Sequence, residues 1–414
     1  MISILTDAAL RHEGNSHAVR PDSEADAEYR VLTTAAGRDL LAEVAHARRP
    51  SPGDVARWRR SYAIDEVAAA IRLVESRRRG AAKFERADAM WLDPVGLEQS
   101  TAEPVARHKA ARFAGSVAFD LCSGIGGDSV ALAEVAGCVV AVDLDEGMAH
   151  RVRWNAEVYG VGHRLAPILG RAEAVAIPPE ALVHIDPDRR VRAHGRARSV
   201  DDYVPGLGFL RQLPSRCRGG AIKLGPASDF AHAFGDLPVE IELITHAGEC
   251  KEATVWFGDL ATPGVRRRAS RSADGATWTD RDGPGTSLAP TADRPGPWVF
   301  DPGPSLVRAG LVDGFAVAHG LARIGGSDFL TGPDRVASPF LAPFEVDETL
   351  PLDLKRLRRA VADRRLGPLE IKTRGLDLLP EELRKTLRPD GPNPATLLLV
   401  GGRGPSLAIV ARRG

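Results

Sequence analysis

The run Phe119-Asp120-Leu121-Cys122-Ser123-Gly124-Ile125-Gly126-Gly127-Asp128-Ser129 joins a carboxylate to a glycine-rich turn. Apolar residues precede it and a helical pattern follows, so it falls where a strand hands over to a helix. Gly124 and Gly126 let the backbone turn sharply and approach a ligand where a Cβ would collide. The helix start beyond them offers free N–H groups and the positive end of a dipole. The next apolar run closes on Ala141-Val142-Asp143-Leu144-Asp145, which places an acid where it can accept bonds from two ribose hydroxyls. A dinucleotide fingerprint would need a third glycine where Ser129 stands, and Asp120 would repel a pyrophosphate. An acid-led turn of this kind suits a cationic ligand that carries an amino group, such as the methionine end of S-adenosylmethionine.

A second constellation is Val183-His184-Ile185-Asp186-Pro187-Asp188-Arg189-Arg190. Asp186-Pro187 follows an apolar strand and so belongs at the carboxyl edge of a sheet, where open α/β sheets bind ligands. His184, inside that strand, reads as a satisfied core histidine rather than a base. Arg189, Arg190, Arg192, Arg196 and Arg198 then form a dense basic segment, read as a phosphate clamp that holds RNA without reading its sequence, against the alternative of a solvated loop.

These residues need elements to hold them. Residues 1–109 read as a helical region, with Thr33 or Thr34 capping one helix and Ser51-Pro52 opening another. Val67, Ala70, Ile71 and Val74 recur on one helical face, and Arg77-Arg78-Arg79 ends that helix favourably for its dipole. In residues 110–261 short apolar runs alternate with helices, the pattern of a mostly parallel sheet covered on both faces. Residues 262–298, rich in Gly, Pro, Asp, Arg and Ser, read as a flexible insertion or linker, with Arg266-Arg267-Arg268 as solvated loop. A connecting segment, 299–339, leads to a small α+β domain over 340–414. The fold class expected is therefore α/β, Rossmann-like, with a helical region before it and the α+β domain after it.

Bulk composition narrows the functions. Lys plus Arg and Asp plus Glu both number 55, so any nucleic-acid site must be a local patch rather than a basic surface. The four cysteines form no CxxC pair and no His stands at ligand spacing from them, which excludes a zinc site or disulfide framework and fits a reducing, cytoplasmic setting. No apolar stretch is long enough to cross a bilayer.

At this point the chain resembles a known group. Asp120–Asp128 with Val139–Asp145 looks like motifs I and II of class I S-adenosylmethionine-dependent methyltransferases, and Val183–Arg190 looks like their motif IV. Together with Gly96-Leu97-Glu98-Gln99-Ser100-Thr101 and the C-terminal α+β segment, the chain resembles a bacterial subfamily carrying a THUMP-like domain. The likeness covers most of the chain apart from its N-terminal stretch and residues 262–298. It implies a seven-stranded methyltransferase sheet, S-adenosylmethionine as cofactor and, because THUMP domains occur in RNA-modifying enzymes, rRNA or tRNA as substrate. It further implies that Asp120 binds the methionine amino group, directly or through water, while Cys122, Gly124 and Gly126 line the cofactor. Asp143 would hold the ribose with Leu144 beside it. Glu173, in Arg171-Ala172-Glu173-Ala174, would take the adenine amino group, against the alternative of a surface acid in a loop.

On the reacting side, amino-methyltransferases of this class carry Asp/Asn-Pro-Pro and an aromatic, whereas Asp188 and Arg189 stand here. That departure weighs against an exocyclic amine as acceptor. A carbon-methylating mechanism needs a thiolate, yet Lys223-Leu224-Gly225-Pro226 has none, Cys217 lies before that strand and Cys122 in the cofactor turn. Direct in-line transfer to nitrogen or oxygen remains, with Asp186, Pro187 and Arg189 as the catalytic group. The rivals are a methyltransferase of a small molecule or protein, and a module that binds S-adenosylmethionine or RNA without turnover.

Overall fold

The computed structural model describes residues 23–189, 202–284, 287–402 and 404–414. The chain divides into two compact units, one running to Val239 and including Val255–Ala261, the other made of Glu240–Thr254 and Thr262–Gly414.

The first unit begins with helices α1 (Ser23–Thr33), α2 (Ala35–His46), α3 (Pro52–Trp58) and α4 (Ile64–Gly80). Thr34 is the cap of α2, its hydroxyl accepting from the Gly37 N–H, and Ser51 opens α3 with a reciprocal capping box to Asp54. Leu40, Trp58, Val67, Ala70, Leu73 and Trp91 form the buried core of this bundle. Two buried ties join it to the next layer: the Trp91 indole and Arg151 both donate to Glu28 at 2.7 Å, and Asn155 accepts from the Trp91 N–H. Helices α5 (Pro94–Gln99) and α6 (Glu103–Ala110) lead into the sheet.

That sheet contains β1 (Val117–Leu121), β2 (Cys138–Asp143), β3 (Leu165–Leu169), β4 (Leu182–Ile185) and β5 (Gly219–Leu224), with α7 (Gly127–Val135), α8 (Glu146–Val158) and α9 (Leu207–Arg216) in the crossovers. The spatial order is β3-β2-β1-β4-β5, all neighbours parallel. Strands β1, β2, β4 and β5 are buried nearly throughout, as strands covered by helices on both faces must be, whereas the edge strand β3 is largely half-exposed. Strand order reverses at β1, so a crevice opens at its carboxyl end.

After β6 (Glu240–His246) comes β7 (Glu249–Gly258), whose second half, Val255–Gly258, lies beside β5 in the first unit and whose first half lies beside β6 in the second. Ala247 and Gly248 both have positive φ, 49° and 81°, the two-residue hairpin turn that matches strand twist.

The second unit corrects the reading of residues 262–298 as a flexible linker. Strand β8 (Arg267–Arg271) pairs in parallel with β6 and antiparallel with β9 (Thr277–Thr279). Polar composition concealed it, because its polar groups are matched inside: Arg268 donates to the wholly buried Glu240 at 2.5 Å, and the Ser270 hydroxyl bonds Glu242. The remainder is an eight-stranded sheet with β10 (Trp298–Pro302), β11 (Leu341–Pro351), β12 (Leu366–Arg374), β13 (Asn393–Val400) and β14 (Leu407–Arg413) as its longer members. Strands β13 and β14 form the expected C-terminal hairpin, and β12 lies parallel to β13. Two helices, Leu354–Asp363 and Pro380–Leu387, bury Leu357, Val361 and Leu387 with residues of these strands. No helix among the described residues is long and apolar enough to cross a membrane.

Candidate active site

The loop from β1 to α7 holds three residues in the left-handed region: Cys122 (φ 61°), Gly124 (φ 53°) and Gly126 (φ 85°). A Cβ on Gly126 would stand 3.2 Å from Val152, so that glycine lets α7 pack on α8. A Cβ on Gly124 would meet nothing within 4 Å, so open space faces this glycine. Cys122 adopts a conformation costly for a residue with a side chain, a strain found most often at ligand sites. The buried Ser123 hydroxyl has no hydrogen-bond partner among the described residues.

Asp143 ends β2. Its carboxylate accepts from the Gly124 N–H at 2.8 Å and the Asp145 N–H at 3.0 Å, which ties the loop to the second strand. Burial raises its carboxyl above the ordinary range, and those backbone N–H groups only partly oppose this. Leu144, 60% exposed, follows it, and Leu169, 56% exposed, ends the neighbouring β3. Two exposed leucines at adjacent strand ends are suited to flank a planar ring. Glu173 is exposed on a single helical turn, Ala172–Ala174, with Arg171 at 3.7 Å. The Cys122 thiol is pushed up by burial and then by Asp143, Asp186, Asp120 and Glu173, which gather four carboxylates around the loop.

Asp120, expected to bind the methionine amino group directly or through water, lies inside the fold. It is 1% exposed, with one oxygen 2.7 Å from His184 Nδ1 and the other taken by the Ser129 hydroxyl. Asp120 is thereby held inside the fold. There it heads a buried network that the sequence reading missed. His184 Nε2 lies 3.3 Å from Lys109 Nζ, Lys109 pairs with Asp128 at 2.8 Å, and the Thr101 hydroxyl donates to Asp128 at 2.6 Å. Burial disfavours a charged imidazole, but Asp128 and Asp120 outweigh it and hold His184 above its ordinary pKa. Burial alone would raise Asp128; Lys109 and His184 keep it well below the usual range. His184 is thus a satisfied buried histidine. Lys109 carried no signal, because His108-Lys109 inside a short helix reads as surface.

Asp186 stands one residue past β4, anchored by its N–H to the Leu121 carbonyl at 3.2 Å. Its Oδ2 pairs with Lys223 Nζ at 2.5 Å, and Pro187 behind it is buried. Gln99 donates to Asp188 at 3.3 Å, which brings the end of α5 to the same edge. Cys122, Gly124, Gly126, Asp143, Leu144, Asp186 and Pro187 thus fall in the loop after β1 and at the carboxyl ends of the neighbouring strands β2 and β4. The structure adds Lys223, which the sequence offered only as the end of a strand. The Arg189 side chain and Arg190, Arg192, Arg196 and Arg198 lie outside the described residues. No group of His, Cys, Asp and Glu among the described residues could hold a metal ion.

Comparison with known proteins gives the family and the fold. Residues 115–194 match the family model described as RNA cap guanine-N2 methyltransferase, and residues 341–413 match the THUMP domain-like model. An uncharacterized S-adenosylmethionine-dependent methyltransferase of Mycobacterium tuberculosis H37Rv is 36% identical over 316 residues, 75% of this chain and 85% of the relative. The same figures hold for its counterpart in strain CDC 1551. The crystal structure of a candidate methyltransferase from Porphyromonas gingivalis W83 superposes with a TM-score of 0.75 at 20% identity, covering 91% of this chain and 98% of that one, a likeness of fold.

Proposed function

Because this chain belongs to the class I S-adenosylmethionine-dependent methyltransferases that carry a C-terminal THUMP-like domain, we propose that it methylates RNA by direct transfer, without a covalent enzyme intermediate. The observation that carries the choice of RNA is the match of residues 115–194, the loop and the Asp186 edge together, to an RNA methyltransferase family. Direct transfer is supported by the thiols. Cys122 is kept protonated by burial and surrounding carboxylates, and Cys217 Sγ bonds the Leu213 carbonyl at the start of β5.

In this reading the loop and strand ends hold the cofactor. Asp143 is offered to the ribose hydroxyls, Leu144 and Leu169 to the adenine faces, and Glu173 to the adenine amino group. The open face of Gly124 and the unpartnered Ser123 hydroxyl are offered to the methionine end. Asp120 contributes from below, by bracing Ser129 and His184 rather than by touching the ligand. S-adenosylmethionine supplies a methyl group already activated on a sulfonium. The residues of the chain then have two tasks, to align the acceptor and to take its proton, and Asp186 is placed for both.

The test is transfer of tritium from labelled S-adenosylmethionine by the purified chain into total RNA, protein and metabolite fractions of a bacterial extract. Label in RNA, lost in Asp186→Asn, is expected. Label in protein or metabolites alone would replace the substrate, and cofactor binding without label in any fraction would replace the enzyme by a binding module.

A further inference from the structure

Strand β5 carries a cation to the reacting edge. His184 pairs with Ala221 and Ile185 with Ile222 across β4 and β5, so the register delivers Lys223 beside Asp186. Lys223 Nζ lies 2.5 Å from Asp186 Oδ2, and the two side chains are 14% and 31% exposed. The other Asp186 oxygen accepts no hydrogen bond from the described residues. The same ammonium lies 3.5 Å from the Gln99 carbonyl, so α5 and β5 both fix it. Stability is a poor reason for such a pair, because a largely buried ion pair is commonly no better than apolar residues of equal volume. Its position at the carboxyl edge of the sheet, where ligands bind, supplies a better one.

We propose that Lys223 is a positioning residue for methyl transfer, which fixes the Asp186 carboxylate by one oxygen and presents the other to an acceptor nitrogen that bears a hydrogen. This rests on the reading of Asp186 given above. The acceptor nitrogen gives its lone pair to the methyl carbon, the carbon–sulfur bond breaks with its pair left on sulfur, and the N–H proton passes to the free Asp186 oxygen. Lys223 stays protonated throughout. The substrate class is narrowed accordingly to an N–H of a nucleobase, in the ring or exocyclic, and away from ring nitrogens that have no hydrogen to lose.

Lys223 also opposes the burial that pushes the Asp186 carboxyl upward. Removing the cation must then move the carboxyl higher still, so activity that needs the carboxylate appears only at higher pH.

The experiment compares wild type, Lys223→Met and Lys223→Arg as full chains, reading kcat against pH on RNA, cofactor affinity by calorimetry and the methylated nucleoside by mass spectrometry. Lys223→Met is expected to lower kcat about a hundredfold, within the range of a proton-transfer group. Its acid limb should shift upward and its cofactor affinity should hold, and Lys223→Arg should recover most of the rate. Retained affinity also shows that the variant folds. Unchanged kcat and acid limb in Lys223→Met, or a fall in affinity that matches the fall in kcat, would overturn the inference while the RNA reading stands. So would a methyl group found on a nitrogen that bore no hydrogen. A wild type that labels no RNA would overturn the RNA reading, and the inference with it.

Discussion

Asp143 spends both carboxylate oxygens on backbone N–H groups while burial holds its carboxyl high. Ribose hydroxyls would add donors to lone pairs that remain, each charge-assisted bond worth about 1.5–3 kcal/mol. Asp143→Ala is expected to weaken S-adenosylmethionine by at least about tenfold in calorimetry, the size of one such bond. Unchanged affinity would remove Asp143 from the site. The pH dependence has a definite sign. A protonated Asp143 loses its acceptor strength, and its carboxyl sits above the ordinary range, so affinity should fall on acidification from an onset above that of a free aspartate. Asp143→Asn should bind weakly and flatten that dependence. Beneath the loop, Lys109 faces Asp128 and His184 with 1% of its side chain exposed. Lys109→Met leaves buried Asp128 with only the more distant His184 opposite it, a loss of roughly 3–5 kcal/mol for a broken buried pair. Urea denaturation would register it. A loss under about 1 kcal/mol, the worth of a surface pair, would mean that the network is wet and dispensable.

The loop between β1 and α7 acts as one element, and its two left-handed glycines separate conformation from contact. Gly124→Ala meets only the cost of positive φ, on the order of 1 kcal/mol. Gly126→Ala meets that cost and also Val152 at 3.2 Å, so it should lose about 1–3 kcal/mol more in thermal denaturation. Equal losses would mean that α8 gives way. The sequence made this loop legible because glycine spacing and an acid at the next strand end are local signals. The parallel sheet was legible for the same reason, since apolar runs alternated with helical ones. Three things were hidden, each for a physical cause. Strand β8 looked like linker because Arg268 and Ser270 satisfy Glu240 and Glu242 inside the fold, and polarity in sequence does not reveal a buried partner. The Asp186–Lys223 pair depends on strand register, which no local pattern encodes. Asp120 was expected at the ligand because its position in the motif was readable, whereas its claim by His184 and Ser129 comes from residues brought together only by folding.

On the scale of the molecule, a chain of zero formal charge must concentrate its cations to bind RNA. The helical region holds several exposed arginines. Arg78 donates to the carbonyls of Ala45, Ala47 and Arg48, which brings the end of α4 against the α2–α3 loop. Arg48, Arg49 and Arg79, next to these contacts in sequence, are exposed. Arg59 and Arg60 follow Trp58, whose indole donates to Glu43 at 2.8 Å, one turn before that loop. All five are exposed and none has an ion-pair partner among the described residues. Arg77, by contrast, is spent on the Ala89 and Met90 carbonyls, and burial lowers it to about 10. The second unit has exposed cations of its own at Lys355, Arg356, Arg365, Lys385 and Arg388, none of them with an ion-pair partner among the described residues. Each phosphate contact releases counterions, so log Kd against log salt should lose about 0.7 of slope per arginine removed on single-stranded RNA and about 0.9 on a duplex. Arg59→Gln with Arg60→Gln is expected to flatten the slope by about 1.4 to 1.8 while leaving S-adenosylmethionine affinity as it was. Lys355→Gln with Arg356→Gln is the matching pair for the THUMP-like unit. Fluorescence titrations of labelled RNA over a range of potassium chloride concentrations would decide between them. An unchanged slope in one pair frees that face of the RNA, and an unchanged slope in both leaves the basic segment after Asp186 as the remaining contact.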